Sequence, residues 1–333
     1  MNAPDARAAP RGKHISLVLG SGGARGYAHM GVIAELQAQG FVIGSIAGSS
    51  MGALVGGMYA AGKLDAFRDF VNPLQRLDVL RLVDWTFRGG GLIKGDRIGN
   101  VLRELLGELQ IEQLPLPYTA VAVDLDAQRE VWFSRGTLFD AIRASIAIPT
   151  VFRPHHYQGR LLVDGGLLNP VPVSPTLRDL TDATIAVDIN APAEPLDAPT
   201  EAVAPFPHAG AEASAPRQAM APILAGDSAP PSPRRRFAAL FDAFAERHER
   251  HAAANEPGTI ELFARSLDAV QATMTRLKLA AQPPDLLITI PRNACAFYEF
   301  HRAAELIELG RRRTREALAR WQPPSNGHAA RKI

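Results

Sequence analysis

The pentapeptide Gly48-Ser49-Ser50-Met51-Gly52 sets one serine between glycines two residues away on either side. That spacing suits a nucleophile on a sharp strand-to-helix turn. The glycines let strand and helix pass without collision, and the hydroxyl projects beyond the strand above a helix amino terminus. Ser49 is a rival hydroxyl, but only Ser50 has the symmetric glycines. A second cluster, Gly20-Ser21-Gly22-Gly23-Ala24-Arg25-Gly26, also separates an apolar run from a helical pattern. Consecutive glycines can aim backbone N–H groups at one anion, and a helix amino terminus adds positive potential. The anion could be a dinucleotide phosphate or the oxyanion of an acyl-transfer intermediate. A dinucleotide site needs a third glycine, where Arg25 stands, and an acid ending the next strand, where Ala47-Gly48 and a serine stand. An oxyanion hole is the better fit.

The third cluster is Asp164-Gly165-Gly166, followed by Asn169-Pro170. A serine nucleophile needs a base, by habit a histidine that follows the acid in the chain. The histidines after Asp164 are poorly placed. His208 lies in an Ala/Pro-rich stretch, His248 and His251 on a charged helix, His301 at a helix start and His328 in the tail; His155 and His156 come too early. An aspartate on a glycine turn at a strand end can instead reach the turn of a neighbouring strand. It can take the serine proton directly, gaining basicity over its usual pKa of about 3.9 if its pocket is dry.

The elements needed to position these groups are legible. Ile15–Leu19 and Val42–Ala47 read as strands, Tyr27–Gln39 as a helix on Met30, Val32, Ile33 and Leu36, and a further helix begins at Met51. Arg25–Gln39 as a whole has an amphipathic pattern. Strand and helix in alternation imply parallel strands joined by helical crossovers, with sites at the carboxyl ends of the strands. Asp96–Leu106 reads as a helix, Tyr118–Leu125 and Glu130–Ser134 as strands about a turn at Asp126–Gln128, and Thr137 as the cap of a helix through Ser145. Leu161–Val163, Ala183–Ile189 and Asp285–Ile290 read as strands, and Phe300–Trp321 as a closing helix. In Thr259–Ala281, Ile260, Phe263, Leu267, Val270, Met274 and Leu277 form one stripe. Its plain reading is packing onto the domain; a homodimer seam is the sharper one.

Composition bounds the rest. The chain has 333 residues, 47% hydrophobic and 21% charged, with a net charge of +2 and no basic stripe of the kind that binds nucleic acid. One cysteine, Cys295, excludes an internal disulfide and fits a reducing, cytoplasmic setting. Residues 1–14 have no apolar core after their basic residues and so do not read as a secretory signal. Phe41–Gly62 carries no charge, but six of its residues are Gly and three are Ser. Together with its soluble-type neighbours, that speaks against a transmembrane span. Residues 1–13 read as a disordered leader, 14–320 as one domain interrupted by a disordered Ala/Pro-rich insertion at 191–235, and 321–333 as a disordered tail. Arg234-Arg235-Arg236 before Phe237, Leu240, Phe241 and Phe244 has the make-up of a helix that could lie peripherally on an anionic inner membrane surface, although packing on the domain within Phe237–Ala254 is the plainer reading.

Together the three clusters resemble the patatin-like phospholipases, and more narrowly the bacterial branch related to the catalytic domain of neuropathy target esterase. Gly22–Gly26 is similar to the family's oxyanion block, Gly48–Gly52 to its nucleophile motif and Asp164–Gly166 to its aspartate turn. Ala144-Ser145-Ile146-Ala147-Ile148-Pro149 resembles the segment that precedes that turn. The likeness covers His14 to Asn190 and, more loosely, Leu262 to Leu318. Ser21 departs from it, standing where many relatives have glycine. The resemblance implies an α/β fold, a three-layer α/β/α sandwich with a mostly parallel sheet. It implies a serine lipid acyl hydrolase of phospholipase, lysophospholipase or esterase type with a Ser50–Asp164 dyad and no cofactor or metal. The oxyanion donors would be the amides of Gly22, Gly23, Ala24 and Met51. Arg25, Gly26, Gly48, Gly52, Gly165 and Gly166 would support them, Arg25 by orienting the loop or by meeting a phosphate. A catalytically idle lipid-binding or regulatory protein is the alternative.

Overall fold

His14–Leu19 (β1) is buried at every residue after His14, as a strand must be when parallel neighbours flank it and both faces are covered. The computed structural model of the chain describes residues 13–82, 84, 91–93, 95–195 and 259–321. β1 leads through a 3-10 turn at Gly23–Tyr27 into α1 (Ala28–Ala38). β2 (Val42–Ser49), α2 (Met51–Ala60), α3 (Leu64–Val71), α4 (Arg76–Leu82), β3 (Gly91–Ile93) and α5 (Asp96–Leu106) follow. Next come β4 (Tyr118–Asp124), β5 (Arg129–Phe133), α6 (Leu138–Ser145), β6 (Thr150–Phe152), β7 (His155–Tyr157), β8 (Arg160–Asp164) and β9 (Ala183–Ala191). After the undescribed residues come α7 (Thr259–Ala281), β10 (Leu286–Pro291) and α8 (Ala303–Arg320).

The strand order is β10-β9-β1-β2-β4-β8-β7, with β5 also paired to β4. The first five strands are mutually parallel; β5, β7 and β8 pair antiparallel. Alternation sorts the faces. Ile15, Leu17 and Leu19 join Ile185 and Val187 in a large core with residues of α1, α2, α6 and α8. Val18 and Ala186, on the opposite face, meet Val171, Val173 and Leu279 of α7. Helices on both sides of the sheet complete a three-layer α/β/α sandwich.

One edge of β4 decides the site. β2 pairs along it as far as Ser49↔Val121. One residue later the same edge is taken up by antiparallel β8, from Ala122↔Asp164. β5 overlaps both registers and so occupies the other edge. The chain leaving β2 and the chain ending β8 therefore meet head to head, and Ser50 and Asp164 are brought together across 114 residues.

Three sequence expectations need correction. The Arg25–Gln39 helix is not amphipathic in place: most of α1 is buried, because α8 crosses its outer side so closely that a Cβ on Gly31 would lie 1.8 Å from the Ile307 carbonyl oxygen. The Ala/Pro-rich insertion does not start at 191. Ala191 is the buried last residue of β9, paired with Pro291, and Glu194 exchanges two hydrogen bonds with Asn293. Residues 196–235, Phe237–Ala254 with its basic start, 1–12 and 322–333 lie outside the described residues. Lys13 and Trp321, assigned to leader and tail, both pack against Phe41, with the ammonium 5.8 Å and the indole centroid 5.9 Å from its ring.

The third correction concerns α7. Val270 and Leu277 of the predicted stripe are exposed, and it is Gln271 and Thr275 that turn inward. Ile260 and Phe263 have side chains outside the described set. Phe41–Gly62 forms β2 and α2, and among the described residues no helix is long and apolar enough to cross a membrane.

Candidate active site

β2 ends and α2 begins within a single residue, so the backbone must reverse at Ser50. It does so at φ 55°, ψ −125°, a conformation that L-residues seldom adopt and that costs about 1–3 kcal/mol. The two glycines are there for space. A Cβ on Gly48 would lie 2.5 Å from the Gly52 carbonyl, and one on Gly52 would lie 2.0 Å from the Leu19 carbonyl oxygen of β1. The strained turn is tied down by Ser145 at the end of α6. Ser50 N donates to Ser145 Oγ at 2.9 Å, and that hydroxyl donates to Val121 O at 2.6 Å. The sequence offered Ser145 as a helix end inside a resembling segment; its grip on the elbow appears with β4 in place.

Ser50 Oγ donates to Asp164 Oδ2 at 2.5 Å, and both residues are only 3% exposed. The second carboxylate oxygen accepts the Gly166 N–H at 2.7 Å. Burial dominates the electrostatics: it lifts the Asp164 pKa from 3.8 to about 7, while the bonds from Ser50 and Gly166 pull the other way. Gly165 is forced by proximity, since its Cβ would lie 2.1 Å from Val121 O and 2.6 Å from Ser49 Oγ. Ser49 itself is fully buried in β2 against that turn, not presented to a substrate.

The glycine loop lies opposite. Gly20 and Ser21 donate their amides to Val187 O at 3.0 Å and Pro170 O at 2.8 Å. Ala24 N donates to Phe297 O at 2.9 Å. The expected Ala24 donor is thereby corrected: its N–H is already committed to the loop before α8. The Gly22 and Gly23 amides have no protein acceptor among the described residues. Met51 N–H, at the first position of α2, is one the helix itself leaves unpaired. The loop and the elbow touch where Gly26 faces Met51; a Cβ on Gly26 would come within 2.3 Å of Met51 Cβ.

Arg25 turns away from the serine. Its guanidinium donates to Arg292 O and Cys295 O, both at 3.1 Å, and to Asn190 Oδ1 at 2.6 Å, with Asp268 at 3.7 Å. It therefore orders the loop and is not poised for a phosphate. Asn190 also donates to Ser21 O at 2.8 Å and to Gln271 Oε1 at 3.1 Å, and Ser21 Oγ donates to the same Gln271 oxygen at 3.2 Å. Asn190 N donates to Asp188, whose carboxyl burial raises and Arg25 lowers. This network of Ser21, Arg25, Asp188, Asn190, Asp268 and Gln271 went unread in the sequence; no local pattern joins residues so far apart.

Among the described residues no histidine bonds to Ser50 or Asp164. His29 is fully buried behind the loop, its Nε2 2.8 Å from Gly20 O, and burial holds its pKa down at about 4. It is a neutral prop. His155 pairs with Asp140 at 3.1 Å and His301 with Arg76 at 3.3 Å. No group of three His, Cys, Asp or Glu side chains able to hold a metal occurs among the described residues.

The sheet and its layers are the patatin type of α/β sandwich, and the family model described as patatin-like phospholipase matches residues 17–177, which hold all three clusters. The chain belongs to the patatin-like phospholipase family. Its relatives include an "uncharacterized NTE family protein" of Mycobacterium tuberculosis, 41% identical over 363 positions covering 96% of this chain and 95% of that one. The neuropathy target esterase of Drosophila persimilis is 30% identical over 168 positions, covering 48% of this chain but 12% of that protein. Among solved structures, VipD of Legionella pneumophila matches with a TM-score of 0.36 and 16% identity, covering 56% of this chain and 51% of that one. The family assignment, which rests on the sequence relatives, supports a lipid acyl hydrolase.

Proposed function

We propose that this protein hydrolyses fatty-acyl esters of phospholipids or lysophospholipids through a Ser50–Asp164 dyad and an acyl-enzyme. The observation that carries the reading is the 2.5 Å bond from a strained serine to a buried carboxyl whose pKa is lifted to about 7. An aspartate at its ordinary pKa would be a feeble base; one near 7 is matched to a proton transfer at neutral pH. Ser50 Oγ attacks the ester carbonyl carbon as its proton passes to Asp164 Oδ2. The tetrahedral oxyanion is met by the amides of Gly22, Gly23 and Met51. Collapse expels the lipid alcohol, which takes the proton from Asp164. Water then attacks the acyl-serine with Asp164 again as base, and Ser50 leaves with its proton restored.

The cytoplasmic setting belongs to the same proposal, supported by a single, buried cysteine. The direct test is a fluorophosphonate probe followed by peptide mapping. Label is expected on the Ser50 peptide of the wild-type chain and none on Ser50→Ala. Undiminished labelling of Ser50→Ala, together with undiminished hydrolysis of a p-nitrophenyl ester, would overturn the mechanism.

A further inference from the structure

α7 is amphipathic the wrong way round. Apart from Leu279, which packs on the sheet, its inward side is largely polar: Gln271 is 8% exposed and bonds to Ser21 and Asn190, Asp268 meets Arg25, and Lys278 bonds to Glu130 of β5 at 2.5 Å. Its outward side carries Leu262, Val270 and Leu277, exposed by 55%, 47% and 61%. At 100° per residue these three fall in one sector with Ala269, Ala280, Ser266 and Thr273. The two hydroxyls are satisfied within the helix, Ser266 Oγ on Leu262 O at 2.7 Å and Thr273 Oγ1 on Ala269 O at 3.0 Å. Such back-bonded hydroxyls can leave water without losing a hydrogen bond.

We infer that this outer face of α7 is a docking surface for an anionic phospholipid bilayer. Charge selects the occupant. Arg265 and Arg276 border the apolar sector, and among the described residues no acidic side chain lies on it. Long cationic side chains along the border of an apolar stripe suit phosphate headgroups above acyl chains. A second copy packed antiparallel on this face would set Arg265 of one chain beside Arg276 of the other. The apolar stretch from Leu262 to Leu277 is about 22 Å long at 1.5 Å per residue, enough for a helix lying in the interfacial plane.

The inner face connects this surface to the chemistry. Gln271 holds Ser21, next to Gly22, so a bilayer on the outer face lies about one helix diameter, roughly 10 Å, from the glycine loop. Beside α7 an open groove of about 640 Å³ is walled by Trp132, Leu168 and Met274, and Leu168 is four residues beyond Asp164. The inference takes its meaning from the lipid-hydrolase reading, but its test does not depend on turnover.

The test uses the full-length chain carrying Ser50→Ala, so that vesicles stay intact. It is sedimented with vesicles of equimolar phosphatidylglycerol and phosphatidylcholine, and with phosphatidylcholine alone. Binding is expected to the anionic vesicles, to weaken with salt, and to fall about 100-fold when Leu262→Gln, Val270→Gln and Leu277→Gln are combined. Gln retains helix propensity. Arg276→Gln is expected to weaken binding several-fold. In a Ser50-intact background the triple variant should keep its Tm and its turnover of soluble p-nitrophenyl butyrate. Vesicle binding that is absent in the parent, or unchanged in the triple variant, overturns the inference. So does a fall in Tm, which would mean the chain itself covers the face, or a dimer-to-monomer change in light scattering, which would mean a second copy does. Vesicle binding lost on substitution in a protein that hydrolyses no ester would uphold the docking surface while sinking the hydrolase reading.

Discussion

Asp164→Asn is expected to stabilise the protein while disabling it. In the fold the carboxyl titrates near 7, against 3.8 when solvated. Below pH 3.8 it is protonated in both states, and burial carries no ionisation penalty. As pH rises from 3.8 to 7 the unfolded chain releases its proton and the folded chain holds on, so stability falls across that window. Above 7 the deficit levels off. A pKa difference of about 3 at ~1.36 kcal/mol each makes it about 4 kcal/mol. An asparagine of the same shape keeps an oxygen for the Gly166 N–H and remains neutral at every pH. Urea unfolding should therefore find Asp164→Asn close to wild type at pH 4 and more stable by up to about 4 kcal/mol at pH 8. With a p-nitrophenyl ester, wild-type kcat/KM should rise about tenfold per pH unit and level off near pH 7, and the variant should fall by roughly 10³ or more. A stability difference that is equal at pH 4 and pH 8 would refute the raised pKa. A variant with wild-type kcat/KM would refute the proton transfer.

Ser50→Gly removes both the hydroxyl and the backbone strain at φ 55°; ester turnover should vanish while stability rises by about 1–2 kcal/mol, as measured by urea midpoint. Ser145→Ala unties Ser50 N and Val121 O together. It should destabilise by about 2 kcal/mol and lower kcat more than it raises KM, because the elbow that aims Ser50 Oγ is loosened. An unaltered kcat in a folded Ser145→Ala protein would assign that serine to packing alone.

Local sterics made much of the site readable in one dimension. Gly48 and Gly52 report a turn so tight that a Cβ at either would strike backbone, and that demand is met within five consecutive residues. β1, β2 and β9 are buried almost throughout, and short strand patterns alternating with helical ones announced parallel strands. Asp164 was recognisable as a residue at a strand end beside glycines, and the family resemblance paired it with Ser50; how the two meet depends on β8 taking over the edge of β4 where β2 leaves it.

What only the tertiary structure decided follows from distance along the chain. The Ala24 amide reads as a free donor until the Phe297 carbonyl arrives from 273 residues away. The helical period of Thr259–Ala281 showed that one side is apolar, but periodicity carries no sign. Ser21, Arg25 and Asn190, buried polar groups that would be costly to leave unpaired, recruit Gln271 and Asp268 and leave Val270 and Leu277 of that stripe facing outward. A sequence pattern therefore named the residue types of the site, while the pairing of strands and the satisfaction of buried polar groups determined which of them meet.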